Sequence, residues 1–384
     1  MRVIEEAKKL ISINSVTGSE KALGYYLEER FRELGCSTRL FEAAENRFNI
    51  YAEIKGRKSE LPGLLFHGHL DTVAAHGMAS AFTPALKNGR LYGRGSVDQK
   101  GGIAAVITAF EEVLTKGKCP DKTVAFIGVI DEEAEHRGSM ALESMGIKAD
   151  FAVVTEPTGL RLGIGCKGTA PIRINVRGQA AHGCRPWLGR NAVLAGIDIA
   201  QLLMKEELPV YDVEDLGRLQ GSINLGKIDG GRAYNIVADR CSIWFDRRLV
   251  PGETQAAVIG HVNRIISDYD APDGIIIEAE IARPDWDWEP IKKRGLLPAL
   301  TDMSSPMVSE IKKAHETELG SLPELFFTDG YQEMDFLIND LGINAVQYGP
   351  GDSSLCHTDE EYLDIKQLEH CSRVYLNMIR LLCG

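Results

Sequence analysis

The chain has 384 residues, 44% of them hydrophobic and 26% charged, with a net charge of −12. That length exceeds what one hydrophobic core usually serves and predicts two domains. The charge is acidic and dispersed, and no basic stripe is available to neutralise phosphates, so nucleic acid and anionic membrane are excluded as expected partners.

The first ten residues read as an amphipathic helix carrying Glu5, Glu6, Lys8 and Lys9, without the unbroken apolar run of a secretory signal. No apolar run reaches the ~18 residues of a membrane span. Eight scattered cysteines without CxxC spacing read as reduced thiols, so the expected location is the cytoplasm.

Two helices are expected within 1–34, around a turn at 14–19, with Ser19 as N-cap of the second and Gly35 as its stop. Strands follow at 38–42 and 49–54. An apolar run at 61–66 enters His67-Gly-His69-Leu-Asp71. Residues 101–114 read as a helix. Residues 123–130 read as a buried strand ending at Asp131-Glu132-Glu133, and 151–154 as a strand ending at Glu156-Pro157. Strands alternating with helices give an α/β layer structure.

The middle of the chain differs. A strand at 168–178, a helix at 191–204, strands at 221–228 and 235–249 about Asp229-Gly-Gly231, a helix at 253–267 and a strand at 275–281 follow one another. That order, βαββαβ, is the ferredoxin-like unit. It reads as an insertion in an α/β domain, with 1–166 and 284–384 forming a discontinuous catalytic, metal-binding domain and 167–283 the inserted one. A helix at 305–319, a strand at 343–346 leading to Gly349-Pro-Gly351 and His357, and a helix at 365–382 close the chain.

The chemistry concentrates where strands end. In His67-Gly-His69-Leu-Asp71, alternate residues share one side of an extended segment, so a histidine can bind a metal while the aspartate accepts its other ring N–H; a strand end with a capping aspartate is the alternative. Asp98, in Gly93-Arg-Gly95-Ser-Val-Asp98-Gln-Lys100-Gly-Gly102, precedes a helix and by itself reads as an N-cap. Asp131-Glu132-Glu133 is either a cation or acid–base site or a solvated loop. Glu156 and His357 are uninformative singly. Together they form a histidine and carboxylate set at strand ends, where α/β sheets bind ligands. That set suits zinc, cobalt or manganese, and its surplus over the roughly three protein ligands of an open zinc site points to two metals.

With these motifs in this order along nearly the whole chain, the sequence resembles the family of acetylornithine deacetylase, succinyl-diaminopimelate desuccinylase, aminoacylase and carboxypeptidase, dinuclear zinc hydrolases. The resemblance implies an α/β metallopeptidase-type catalytic domain with the ferredoxin-like insert as lid and dimerisation domain, and hence a homodimer. It implies that His69 binds one metal with Asp71 as its orienting partner, that Asp98 bridges both, that Glu156 completes the first site, and that Glu133 and His357 complete the second. Glu132 is then the general base. In the insert, His182 of Gly178-Gln-Ala-Ala-His182-Gly helps hold the substrate carbonyl, across the dimer in related proteins. Asn235 and Arg248 match substrate-binding positions. Gln99 and the stretch 134–138 vary from the commonest pattern, with His136 read as an exposed helix-start residue and His67 as a supporting one. The implied cofactors are two divalent metal ions, zinc with cobalt or manganese as alternatives. The implied substrate is a small N-acyl amino acid, N-acyl diamino acid or short peptide. A dipeptidase, tripeptidase or carboxypeptidase is the alternative, and a non-catalytic binding protein of the same fold is the alternative of another class.

Overall fold

The computed structural model describes residues 2–117, 119–283 and 286–384. They form two compact units: 1–165 with 300–328 and 333–384, and 166–299 with 329–332. The sequence reading resumes the catalytic domain at 284. Position 284 lies outside the described residues, and 286–299 group with the second unit.

The first unit is built on a mixed sheet. Its strands run in the order Ser37–Ala44, Arg47–Ile54, Lys122–Val129, Ser59–His69, Ala152–Val154, Ala345–Gln347 and Leu162–Cys166. The central four, Lys122–Val129 to Ala345–Gln347, are parallel to one another, and the strands flanking them are antiparallel. Pairing Phe66 with Phe126 and His67 with Ile127 sets the faces. Phe66 and Phe126 point to the side covered by helices Lys21–Leu34, Gly101–Thr115 and Ile365–Cys383, where Phe31 stacks on Phe126 at 5.3 Å and Phe66 meets Tyr375 at 4.8 Å. Residues one position on, including His67 and His69, point to the opposite side, as the two-residue strand period requires.

Helix Arg2–Ser12 and helix Lys21–Leu34 match the two-helix start, and Gly35 ends the second with φ +95°. The N-cap is Glu20, not Ser19. The Glu20 carboxylate accepts the Gly18 N–H at 3.0 Å and holds the Arg47 guanidinium, which fixes the helix start.

The second unit has an antiparallel four-stranded sheet in the order Ser222–Gly230, Arg240–Leu249, Gly168–Arg177, Ile276–Ile281. Helices Ala192–Met204 and Gln255–Asp268 cover one face, packing on Ile172, Ile174, Val176, Ile243 and Phe245. The chain order is the expected βαββαβ, with an unforeseen hairpin of Val210–Val213 and Gly217–Gln220 added. The expected strand at 235–249 begins only at Arg240. Residues before it turn away because their backbone groups pair elsewhere: Val237 N–H donates to Ala181 O at 2.9 Å, and Asn235 O accepts the Gly183 N–H at 2.8 Å.

Candidate active site

Parallel strands deliver their C-terminal ends to one edge of the sheet. In the first unit those ends carry His69, the Asp131-Glu132-Glu133 turn and Glu156, while the neighbouring Ala345–Gln347 strand leads to His357. Asp98 arrives from the tight turn before helix Gly101–Thr115, where Asp98 and Gln99 leave helical geometry. Gly68 is required between the two histidines, since a Cβ there would stand 2.7 Å from Gln99 Oε1 and 2.8 Å from Thr155 Oγ1.

The predicted ligands meet. His69 Nε2 is 2.8 Å from Asp98 Oδ1 and 3.7 Å from Glu156 Oε1. His357 Nε2 is 3.4 Å from Asp98 Oδ2 and 3.1 Å from the Glu133 carboxylate. His69, Asp98 and Glu133 each place one donor atom within 4.8 Å of the others. His69 is buried, whereas His357 is half exposed and adopts φ +62°. Gln99, which departs from the common motif, donates to Glu156 Oε1 and accepts the Thr155 hydroxyl at 2.5 Å, so it orients Glu156.

Asp71 acts differently from its sequence reading. His69 Nδ1 faces the Asp71 backbone carbonyl at 2.9 Å, with the carboxylate 3.7 Å away. The carboxylate instead accepts the N–H of Glu132 at 3.0 Å, the N–H of Glu133 at 3.1 Å and the Thr17 hydroxyl at 2.9 Å. The Asp71 side chain thus reaches the loop that follows strand Lys122–Val129. Asp131 opens that loop at φ +71°, a strained position that aspartate tolerates better than most residues. Arg47 holds its carboxylate at 2.6 Å, and the Asp131 carbonyl accepts the His136 N–H at 2.7 Å.

Electrostatics follow from burying so many acids together. Burial, with the Asp98 charge, pushes Glu156 up to about 8. Burial, with Glu133, Glu333 and Glu156, raises Glu132 well above its usual range. Burial, with the charges of Glu20 and Glu133 and against that of His69, raises Asp71 to about 6. Burial would lower His69, but its hydrogen bond to Asp98 and the charges of Asp98, Glu132 and Glu156 raise it. Hydrogen bonds to Asp98 and Glu133 raise His357 to about 10. Burial works against the Asp98 charge, but its two histidine partners lower its pKa well below the carboxylate range. This nitrogen and oxygen set, crowded with carboxylates that repel one another, fits divalent cations, whose charge offsets the repulsion.

The sequence reading missed Glu333. Its buried carboxylate takes His136 Nδ1 at 3.1 Å on one oxygen and faces His67 Nε2 at 3.8 Å with the other. Burial opposes its charge, yet His136, His67 and His69 lower its pKa, and its charge in turn helps to raise Glu132 and Glu156. His136 is therefore not an exposed helix-start residue: it begins helix Arg137–Met140 at φ +54°, is 3% exposed and packs against Phe336. His67 is buried and lies 3.3 Å from Ser139 Oγ, a supporting place. No local pattern marks Glu333, a single acid beyond an Asp-Gly turn.

In the second unit the structure brings His182 and Asn235 together through the Gly183–Asn235 backbone bond and the His182–Ile236 bridge, both on exposed loops. Arg248 stands apart on strand Arg240–Leu249, with Nε and Nη2 3.1 and 3.0 Å from Asp246 Oδ2.

The sequence profile of peptidase family M20/M25/M40 matches residues 65–381. A chain named a probable carboxypeptidase, from Aspergillus clavatus, is 28% identical over 389 residues, covering 97% of this chain and 86% of its own. The succinyl-diaminopimelate desuccinylase of Delftia acidovorans is 25% identical, covering 97% of this chain and 96% of its own. The crystal structure of a tripeptidase from Staphylococcus aureus superposes with a TM-score of 0.80 at 22% identity, covering 100% of this chain and 98% of its own, and shares the fold. A profile match across most of the chain, over a range that includes the residues converging at the sheet edge, places the protein in peptidase family M20/M25/M40, as an enzyme that hydrolyses amide bonds.

Proposed function

We propose that the protein removes the acyl group from an N-acyl amino acid or N-acyl diamino acid by metal-dependent hydrolysis of the amide bond. The observation that carries this reading is the division of Asp98, whose Oδ1 faces His69 and whose Oδ2 faces His357. Glu156 lies on the His69 side and Glu133 on the His357 side. His69, Asp98 and Glu156 would hold one divalent cation, and His357, Asp98 and Glu133 the other. Zinc suits these donors, and cobalt or manganese can replace it. When bound, the ions supply Lewis acidity toward the scissile carbonyl and lower the pKa of the attacking water to ~7.

Glu132 stands outside the ligand pairs and serves as general base. Its carboxylate takes the proton of the attacking water and passes it to the leaving amine. Burial and the neighbouring carboxylates raise its pKa, so it holds a proton more readily than a free glutamate. Asp71 holds the backbone on which Glu132 and Glu133 sit.

The second unit is assigned as lid and dimerisation domain. His182 Nδ1 accepts the Cys184 N–H at 3.2 Å, which leaves the proton on Nε2 as a donor for the carbonyl oxygen. Asn235 lies beside it, and Arg248 would exchange Asp246 for a substrate carboxylate. A homodimer is supported by two features of this unit. Strand Ser222–Gly230 is a sheet edge, and helix Ala192–Met204 exposes Leu194 at 60% and Ile197 at 37%. Scattered cysteines such as Cys36, Cys241, Cys371 and Cys383, buried as thiols, suit a reducing cytoplasm. Among the described residues no helix is long and apolar enough to cross a membrane.

The carboxypeptidase relative and the tripeptidase-like fold favour a second reading, a metallopeptidase acting on dipeptides, tripeptides or C-terminal residues. A panel of N-acetyl and N-succinyl amino acids, N-acyl diamino acids and short peptides, assayed with zinc, cobalt and manganese and with a chelator control, separates the two. Chelator-sensitive amine release from an acylated amino acid supports the deacylase. Turnover of peptides alone moves the assignment to a peptidase.

A further inference from the structure

We propose that Glu361 is the positioning residue that sets the Asp98 carboxylate between the two halves of the site. The inference rests on the reading of Asp98 as the shared ligand.

The Glu361 side chain is 1% exposed, and both of its oxygens are used twice. Oε2 accepts Arg94 Nη1 at 2.7 Å and the Gly95 N–H at 3.0 Å. Oε1 accepts the Val97 N–H at 2.9 Å and the Asp98 N–H at 3.3 Å. One carboxylate thus gathers four donors of the turn that carries Asp98. That turn has little regular structure to hold it. Gly95 lies at φ +80°, and Asp98 and Gln99 depart from helical angles. Such N–H groups, buried without an acceptor, would be costly, so the turn follows the carboxylate.

Glu361 also belongs to the other half of the site. It lies four residues after His357, and the Glu361 carbonyl accepts the Gly93 N–H at 3.3 Å. The adjoining Tyr362 pairs with Tyr92, which locks the two segments in register. The same residue therefore ties the Asp98 turn to the His357 loop and fixes the spacing over which Asp98 reaches His69 at 2.8 Å and His357 at 3.4 Å. Lys100 secures the far end of the turn by donating to Ile13 O at 2.7 Å. Glu361 itself touches no reacting atom; it acts through Asp98.

Arg94 is buried, and Glu361 is its ion-pair partner. A charge-balancing role for Glu361 must therefore be separated from a positioning role. Glu361→Asp keeps the charge beside Arg94 but withdraws the carboxylate by one methylene from the backbone donors. Glu361→Gln keeps the length but turns an amide toward two of them. The measurement is cobalt(II) titration of each full-length variant in competition with a chromogenic chelator, with the cobalt absorption spectrum and the thermal midpoint recorded alongside. The expected result for Glu361→Asp is a folded protein with a near-parental midpoint. Its metal affinity is expected to be ~10–100-fold weaker, the usual effect of removing a group that orients a ligand, with an altered cobalt spectrum. If Glu361→Gln fails to fold, Glu361→Asp still decides. Parental affinity and spectrum in a folded Glu361→Asp overturn the proposal and leave Glu361 as a partner for Arg94. If the parent chain binds a single cobalt equivalent, the two-metal reading fails separately. The Glu361 inference is then read on that equivalent, with weakened binding supporting it and unchanged binding overturning it.

Discussion

The carboxylate of Asp71 accepts the backbone N–H of Glu132 at 3.0 Å, so an acid two residues after His69 sets the position of the proposed base in the turn that follows strand Lys122–Val129. The Glu133 N–H, at 3.1 Å, shares the same carboxylate. One buried acid thereby joins the His69 strand to the turn that carries the proposed ligand Glu133 and the proposed base Glu132.

Asp71→Asn is expected to break this joint. Whichever way the amide turns, one of the two N–H donors faces another donor instead of an oxygen. Leaving such a buried group unmatched costs about 1–3 kcal/mol. Thermal unfolding should register that loss, and turnover should fall ~10–100-fold as the turn shifts. Parental stability together with parental turnover would show that the Asp71 contacts to this turn are dispensable.

Glu132→Ala tests the base. Turnover should drop by at least ~10²-fold, while bound metal, measured by atomic emission, stays at the parental level. Retained turnover would remove Glu132 from the mechanism. Loss of metal along with activity would assign it to the ligand set.

Stability without metal should fall as pH rises. Glu156 is raised from 4.5 to about 8, so the folded state keeps a proton the unfolded chain has lost; that stabilisation is full below about 4.5 and gone above about 8. His357 is raised from 6.5 to about 10 and acts in the same direction over that interval. Asp98, lowered, acts oppositely, but only in acid. Divalent cations replace the protons held on these groups, and their binding tightens as pH rises. The gap in thermal midpoint between metal-loaded and chelator-treated protein should therefore widen from pH 6 to pH 8. A gap that stays constant or narrows would contradict the ligand assignment of Glu156 and His357.

The cross-subunit role of His182 is open to complementation. His182→Ala and Glu132→Ala homodimers should each be nearly inactive, and mixing them should restore activity, because some mixed dimers combine an intact His182 with an intact Glu132. Subunit exchange verified by mass spectrometry without recovery would confine His182 to its own chain.

The sequence by itself determined the α/β layers and the ferredoxin-like order of the insert, and its resemblance to the hydrolase family implied that His69, Asp98, Glu133, Glu156 and His357 share one site. Those features are legible because strand and helix periods are local and because most of the histidines and acids of the motifs follow apolar strands directly. Only the tertiary structure decided what holds them. Glu361 meets Arg94 across 267 positions, and His136 meets Glu333 across 197, with no spacing rule linking either pair. It also turned the Asp71 carboxylate from His69 toward Glu132 and Glu133, and paired Arg248 with Asp246. The physical reason is burial. A charged or N–H group removed from water takes whichever partner the packed chain brings near, and that neighbour is set by sheet order and loop path rather than by adjacent residues.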